Sequence, residues 1–132
     1  MPKNQPANEE FSYDVIAYPG LIIPQMHPDR LAAIAKLHGM NPAPAEKCRV
    51  LELGCGNGLN LNWLAYNLPE SEFVGVDLAQ THINEAKKNV ADLELRNVNF
   101  FQQDVLEITK KTFAKFDYII AHGLFSWVPE VV

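Results

Sequence analysis

The chain has 132 residues, of which 48% are apolar and 20% charged, with a formal net charge of −5 and an isoelectric point near 5.3. That is about one domain, long enough to bury a core without disulfide or metal staples, and its composition excludes disordered, collagenous and disulfide-dense classes. The acidic balance gives no strong nucleic-acid signal. No apolar run approaches the ~18–20 residues that span a bilayer. The leading MPKNQPANEEF has no apolar core of a secretory signal. The expectation is a soluble, cytoplasmic, single-domain chain that does not engage a membrane.

Residues 1–20 are rich in Pro, Asn and Glu, with aromatics at Phe11, Tyr13 and Tyr18, and residues 1–27 read as an extended N-terminal arm. The domain proper is expected over 28–132. Pro28 suits a first helical position, and Leu31, Ile34 and Ala35 recur at helical spacing up to Gly39, with Pro42 and Pro44 blocking continuation. Arg49–Leu53 is a short apolar strand that breaks into Gly54-Cys55-Gly56-Asn57-Gly58. A helix over Leu59–Leu68 follows, with Leu61, Leu64, Ala65 and Leu68 on one face. Phe73–Asp77 is the second strand. Ile83, Ala86, Val90 and Leu93 make the apolar stripe of the next helix. Val98–Phe101 is the third strand and Phe116–Ala121 the fourth.

Strand alternating with helix at this rhythm predicts βαβ units, a parallel sheet with the first strand central, and helices on both faces. Four strands make half of a doubly wound sheet. The last would leave an apolar edge, so the reading expects a fragment whose missing C-terminal half, or a partner chain, covers it.

The glycine turn carries the chemistry. Alternate glycines leave a backbone that a ligand can approach closely, and the next helix offers its free N–H groups and positive dipole end. A plain tight turn would have the same glycines. Asp77 ends the second strand about twenty residues later, where an acid accepts from a ribose or caps the next helix. Asp104 ends the third strand, where a carboxylate meets an exocyclic amine or again caps. The G-x-G-x-G spacing departs from the dinucleotide G-x-G-x-x-G/A, because Leu59 stands where the third small residue is needed, and the phosphate-loop pattern is absent.

The E-x-G-x-G-x-G form of Glu52–Gly58, followed by acids after strands two and three, resembles class I S-adenosylmethionine-dependent methyltransferases over residues 28–128. The resemblance implies a Rossmann-like, three-layer α/β/α fold, of which this chain holds the N-terminal half. It also implies a cofactor, S-adenosyl-L-methionine, whose methionyl part lies over Gly54, Cys55, Gly56 and Gly58, with Glu52 at its amino end. The ribose would meet Asp77 and the neighbouring Leu78, and the adenine Asp104 and Val105. The stretches Tyr18–Arg30, Pro69–Asp77 and Ala121–Pro129 resemble bacterial methyltransferases with a downstream methyltransferase regulatory domain, some of which are protein-lysine methyltransferases.

His122, after the fourth strand, is the candidate catalytic residue, as acceptor-positioning or proton-removing group, or else a histidine satisfied by backbone. Phe125 and Trp127 read as channel lining or as packing. Tyr18, Gln25 and His27, with Tyr13, are candidate lid residues carried over from the class. Cys48 and Cys55, without a C-x-x-C pair, read as buried thiols, and the scattered histidines predict no metal. The methyl acceptor, protein lysine or a small molecule, is open. The competing readings are a catalytically incomplete cofactor- or partner-binding module and a nicotinamide-dependent oxidoreductase.

Overall fold

The computed structural model describes residues 20–124. After a single 3-10 turn at Pro24–Met26, helix α1 spans Pro28–Leu37. Then come strand β1 (Arg49–Leu53), α2 (Leu59–Asn67), β2 (Glu72–Asp77), α3 (Gln80–Asp92), β3 (Val98–Gln102) and β4 (Tyr118–Ile120). A second 3-10 turn, Val105–Glu107, lies between β3 and β4.

The four strands are parallel in the order β3-β2-β1-β4, with Val50 opposite Phe73 on one side and Tyr118 on the other. The parallel, strand-helix arrangement with β1 inside the sheet is the one the alternation predicts. One feature differs. All three helices pack on one face: Ala32 of α1, Leu61 and Leu64 of α2, and Ile83 and Ala86 of α3 share a core with Val50, Phe73, Phe100 and Ile120. On the other face Leu51, Val74 and Val76 are covered by Ile108, Phe113 and Phe116 of the β3–β4 connection. Successive right-handed crossovers from β1 to β2 to β3 move in one direction and stay on one face. The chain changes face only on returning to the far side of β1, and there it carries one 3-10 turn and coil.

Helix α1 ends as expected. Gly39 takes φ +78°, its N–H donates to the Lys36 carbonyl, and the Met40 N–H donates to the Ala35 carbonyl, a Schellman closure. Its buried face is Pro28 and Ala32, however, while Ile34 and Leu37 are exposed, Leu37 to 87%. Leu93, expected on the stripe of α3, is exposed as well; it caps the helix, and Leu95 packs on the core in its place. Cys48 and Cys55 are buried free thiols. Among the described residues no helix is long and apolar enough to cross a membrane.

Candidate functional site

β1 delivers Glu52 and the glycine loop to the C-terminal edge of the sheet. The N–H groups of Gly54 and Cys55 both donate to the Val76 carbonyl, at 2.8 and 3.0 Å, which turns the loop over β2. Gly58 N–H closes the turn onto the Cys55 carbonyl at 3.1 Å. The glycines differ in kind. Gly58, at φ +74°, is packed, since a Cβ there would stand 2.5 Å from Phe100 Cζ and 2.8 Å from Ala86 Cβ. Gly56, at φ +55°, would point a Cβ into open space, with nothing within 4 Å.

Asp77 holds the loop from the end of β2. Its Oδ2 accepts from Gly56 N–H at 2.8 Å and its Oδ1 from Ala79 N–H at 2.9 Å, so one carboxylate joins the glycine loop to the start of α3. His82 is buried beside it, with Nδ1 3.7 Å from Asp77 Oδ1, and neither ring nitrogen has a hydrogen-bond partner among the described residues. The Gln103 N–H donates to the Asp77 carbonyl, and Gln102 Nε2 to that of Leu78, tying the end of β3 to the same edge.

Glu52 is 5% exposed. Its Oε1 accepts from Asn60 Nδ2 at 3.4 Å, and its Oε2 has no partner. Burial pushes the carboxyl up to about 8; the Asn60 bond opposes this and the Asp77 charge adds to it. Burial, with the charges of Glu52 and Asp77, also pushes the Cys55 thiol up, so it is no nucleophile.

Glu52, Gly54, Cys55, Gly56 and His122 line one cavity. Asn57, Leu59 and Asn60 complete its floor, and Gly20, Leu21 and Ile23 of the arm form its roof. Gly58, Asp77, Leu78, Asp104 and Val105 do not line it. Asp104 accepts from Leu106 N–H at 2.9 Å, which is the capping alternative, and with Val105 it lies half-buried past β3. His122 is exposed at the mouth. Of the lid candidates, Gln25 is exposed on its 3-10 turn. The His27 ring accepts from Asp29 N–H at the start of α1 and stands edge-on to Trp63 at 5.7 Å. Neither lines the cavity, which the arm meets at Gly20, Leu21 and Ile23 instead. Tyr13, Tyr18, Phe125 and Trp127 lie outside the described residues. Asn60 was missed: its only signal is a polar side chain in the first turn of the helix after the loop.

The residues fit an adenosyl amino-acid cofactor on two observations. The open side of Gly56 is a cradle that any side chain would fill, and the orphaned buried oxygen of Glu52 calls for a partner. Among the described residues no group of three or more His, Cys, Asp or Glu side chains could hold a metal ion.

Residues 44–131 match a family model described as a methyltransferase domain. An uncharacterized protein of Rickettsia prowazekii (strain Madrid E) is 39% identical over 93% of this chain and 49% of its own length. The solved structure of PKMT2 from Rickettsia typhi in complex with AdoHcy superposes with a TM-score of 0.81 at 38% identity, over 86% of this chain and 22% of that one. The release factor glutamine methyltransferase of Escherichia coli (strain K12) is 30% identical over 73% of this chain and 33% of its own. The chain thus spans about half the length of the first of these relatives, and less of the others.

Proposed function

Because the chain belongs to the class I S-adenosylmethionine-dependent methyltransferases, as a methyltransferase domain, we propose that it binds S-adenosyl-L-methionine over Gly54–Gly58 and serves methyl transfer to a protein side-chain nitrogen, lysine first. The observation that carries this is the cavity itself, where an open glycine cradle and an orphaned buried acid meet at one sheet edge. The likeness to PKMT2, solved with AdoHcy, supports both cofactor and acceptor class.

In this reading Glu52 takes the amino end of the cofactor, Cys55 and Gly56 present backbone to it, and Asp77 and Leu78 meet the ribose. Asp104 and Val105 lie toward the adenine. The cofactor supplies a methyl group on an already electrophilic sulfonium. The chain's own work is to orient the acceptor and to manage its proton, because a lysine ammonium has no lone pair. His122, exposed at the cavity mouth, is the group we assign to that proton. Residues 1–27 act as the arm and 28–132 as the domain, in a bacterial cytoplasm.

Calorimetric titration with S-adenosylhomocysteine, with NAD as control, tests the reading. Selective binding is expected, and at a hundred times its dissociation constant the ligand stabilises the fold by about 2.7 kcal/mol. A folded sample silent to both ligands overturns it. Asp77→Ala should weaken binding by about tenfold or more, from lost charge-assisted hydrogen bonds. A second reading is a cofactor- or partner-binding module without turnover. Binding without transfer to any acceptor would favour it.

A further inference from the structure

Asn60 is 3% exposed and engaged at both ends of one planar amide. Its Oδ1 accepts from the Ile23 N–H of the arm at 3.0 Å, across 37 residues of sequence. Its Nδ2 donates to Glu52 Oε1 at 3.4 Å. These are the roof and the floor of the same cavity. The arm is pressed onto the loop as well, for a Cβ on Gly20 would collide with the Asn57 amide. Because the two ends of an amide turn together, a flip of Asn60 would face its Oδ1 to Glu52 and its Nδ2 to the Ile23 N–H. It would thereby break both bonds.

We propose that Asn60 is a positioning residue that couples the arm to the acid, so that a cationic group at Glu52 and closure of residues 20–23 over it favour each other. The idea rests on the cofactor reading only for the identity of that cation, the ammonium of an amino acid. The bond from Asn60 to Glu52 is long, at 3.4 Å. An ammonium placed against the orphaned Oε2 draws the carboxyl to its ionised form, and a charge-assisted bond from Nδ2 is shorter and stronger. Donation at Nδ2 polarises the amide, so Oδ1 becomes a better acceptor for Ile23 N–H. By linkage the closed arm must then raise affinity for the cation by the same factor. The charged or titratable groups around Glu52 are Asp77 and Cys55 in the loop region and His122 at the cavity mouth, and among the described residues none of these hydrogen-bonds to the arm.

Amide hydrogen exchange at Leu21–Ile23, followed by NMR with and without S-adenosylhomocysteine, tests the coupling. In the parent chain the ligand should slow exchange at Ile23 by about tenfold, the scale of one strengthened hydrogen bond. In Asn60→Leu the ligand should bind more weakly and the slowing should vanish. In Asn60→Asp, which keeps an acceptor for Ile23 but loses the donor to Glu52, ligand-free protection should persist while the ligand-induced gain is lost. Equal slowing in the parent and both variants, or ligand binding without slowing in the parent, overturns the proposal. If S-adenosylhomocysteine does not bind the parent chain, the cofactor reading fails. The coupling is then judged without ligand: Glu52→Leu should speed Ile23 exchange severalfold, and an unchanged rate overturns it. A thermal melt of each variant separates this from global loosening, which would speed exchange at Val50 and Val76 as well.

Discussion

Glu52 shows how one buried group sets a pH dependence. Its carboxyl is near 4.5 in the unfolded chain and raised to about 8 in the fold. The folded state therefore holds a proton that the unfolded chain gives up, and the stability this group contributes is present in full below about pH 4.5 and lost as pH rises through about 8. The melting temperature should fall from pH 5 to pH 8, and Glu52→Gln should flatten that slope; a parent chain with a level profile would contradict the burial argument. The last two glycines of the loop separate fold from ligand. Gly58→Val meets Phe100 and Ala86 and should destabilise the protein by about 2 kcal/mol or more, read by urea unfolding. Gly56→Val meets open space. Its cost to the fold is the strain of a positive φ alone, about 1–2 kcal/mol, while S-adenosylhomocysteine binding should disappear. The G-x-G-x-G string makes the two look alike, and only the strand β3 and helix α3 packed beneath tell them apart.

At the scale of elements, the βαβ unit is closed by polar side chains that carry no periodic signal. Asn97, just before β3, donates from Nδ2 to the carbonyls of Ala65, Leu68 and Ser71 at 3.1, 3.0 and 2.9 Å. It thus joins the end of α2 to the start of β2. Ser71 donates to the Ala45 carbonyl and accepts from Cys48 N–H on the other side. Asn97→Ala leaves buried carbonyls short of a donor and should cost about 1–3 kcal/mol in chemical denaturation, with cofactor affinity unchanged. The stripe of α3 was legible because Ile83 and Ala86 face the sheet, and the glycine end of α1 because only a left-handed residue closes it. The end of α3 was not, since Glu94 takes φ +52° in the same closure without a glycine to announce it. The exposure of Ile34 and Leu37 was also hidden, because apolar spacing says that a face exists and not whether anything packs on it.

Across the whole molecule the two ends of the sheet divide the labour. The strand order changes direction between β1 and β4, and the cavity lies at the carboxyl ends of those strands, between Glu52 and His122. That is the switch point at which open α/β sheets take ligands. At the opposite end Arg49 ties β1 to β2 and to the segment leading into β4: its Nε donates to Glu72 Oε2 at 2.8 Å, an η nitrogen donates to the Lys115 carbonyl at 2.6 Å, and its guanidinium lies 4.9 Å over the Phe116 ring. The ion pair is partly exposed and worth little by itself. Arg49→Met should cost about 1 kcal/mol through the lost carbonyl bond and ring contact, with affinity for S-adenosylhomocysteine unmoved. A change in affinity would mean that the far end of the sheet reaches the site.

The alternation of short apolar strands with amphipathic helices required a parallel sheet, and the glycines between β1 and α2 required a tight turn. Both are local demands of backbone sterics and of 2.0 and 3.6 periodicity. Residue by residue, Glu52, Gly54, Cys55, Gly56 and His122 were legible as neighbours because they end strands that pair side by side. Contacts between distant segments were decided by the tertiary structure. It put all three helices on one face and gave the roof to Gly20–Ile23 instead of Gln25 and His27. It also set Asn60 between the arm and the acid. Those outcomes depend on which segments meet across tens of residues, and hydrogen-bond partners at that range leave no spacing in the chain to read.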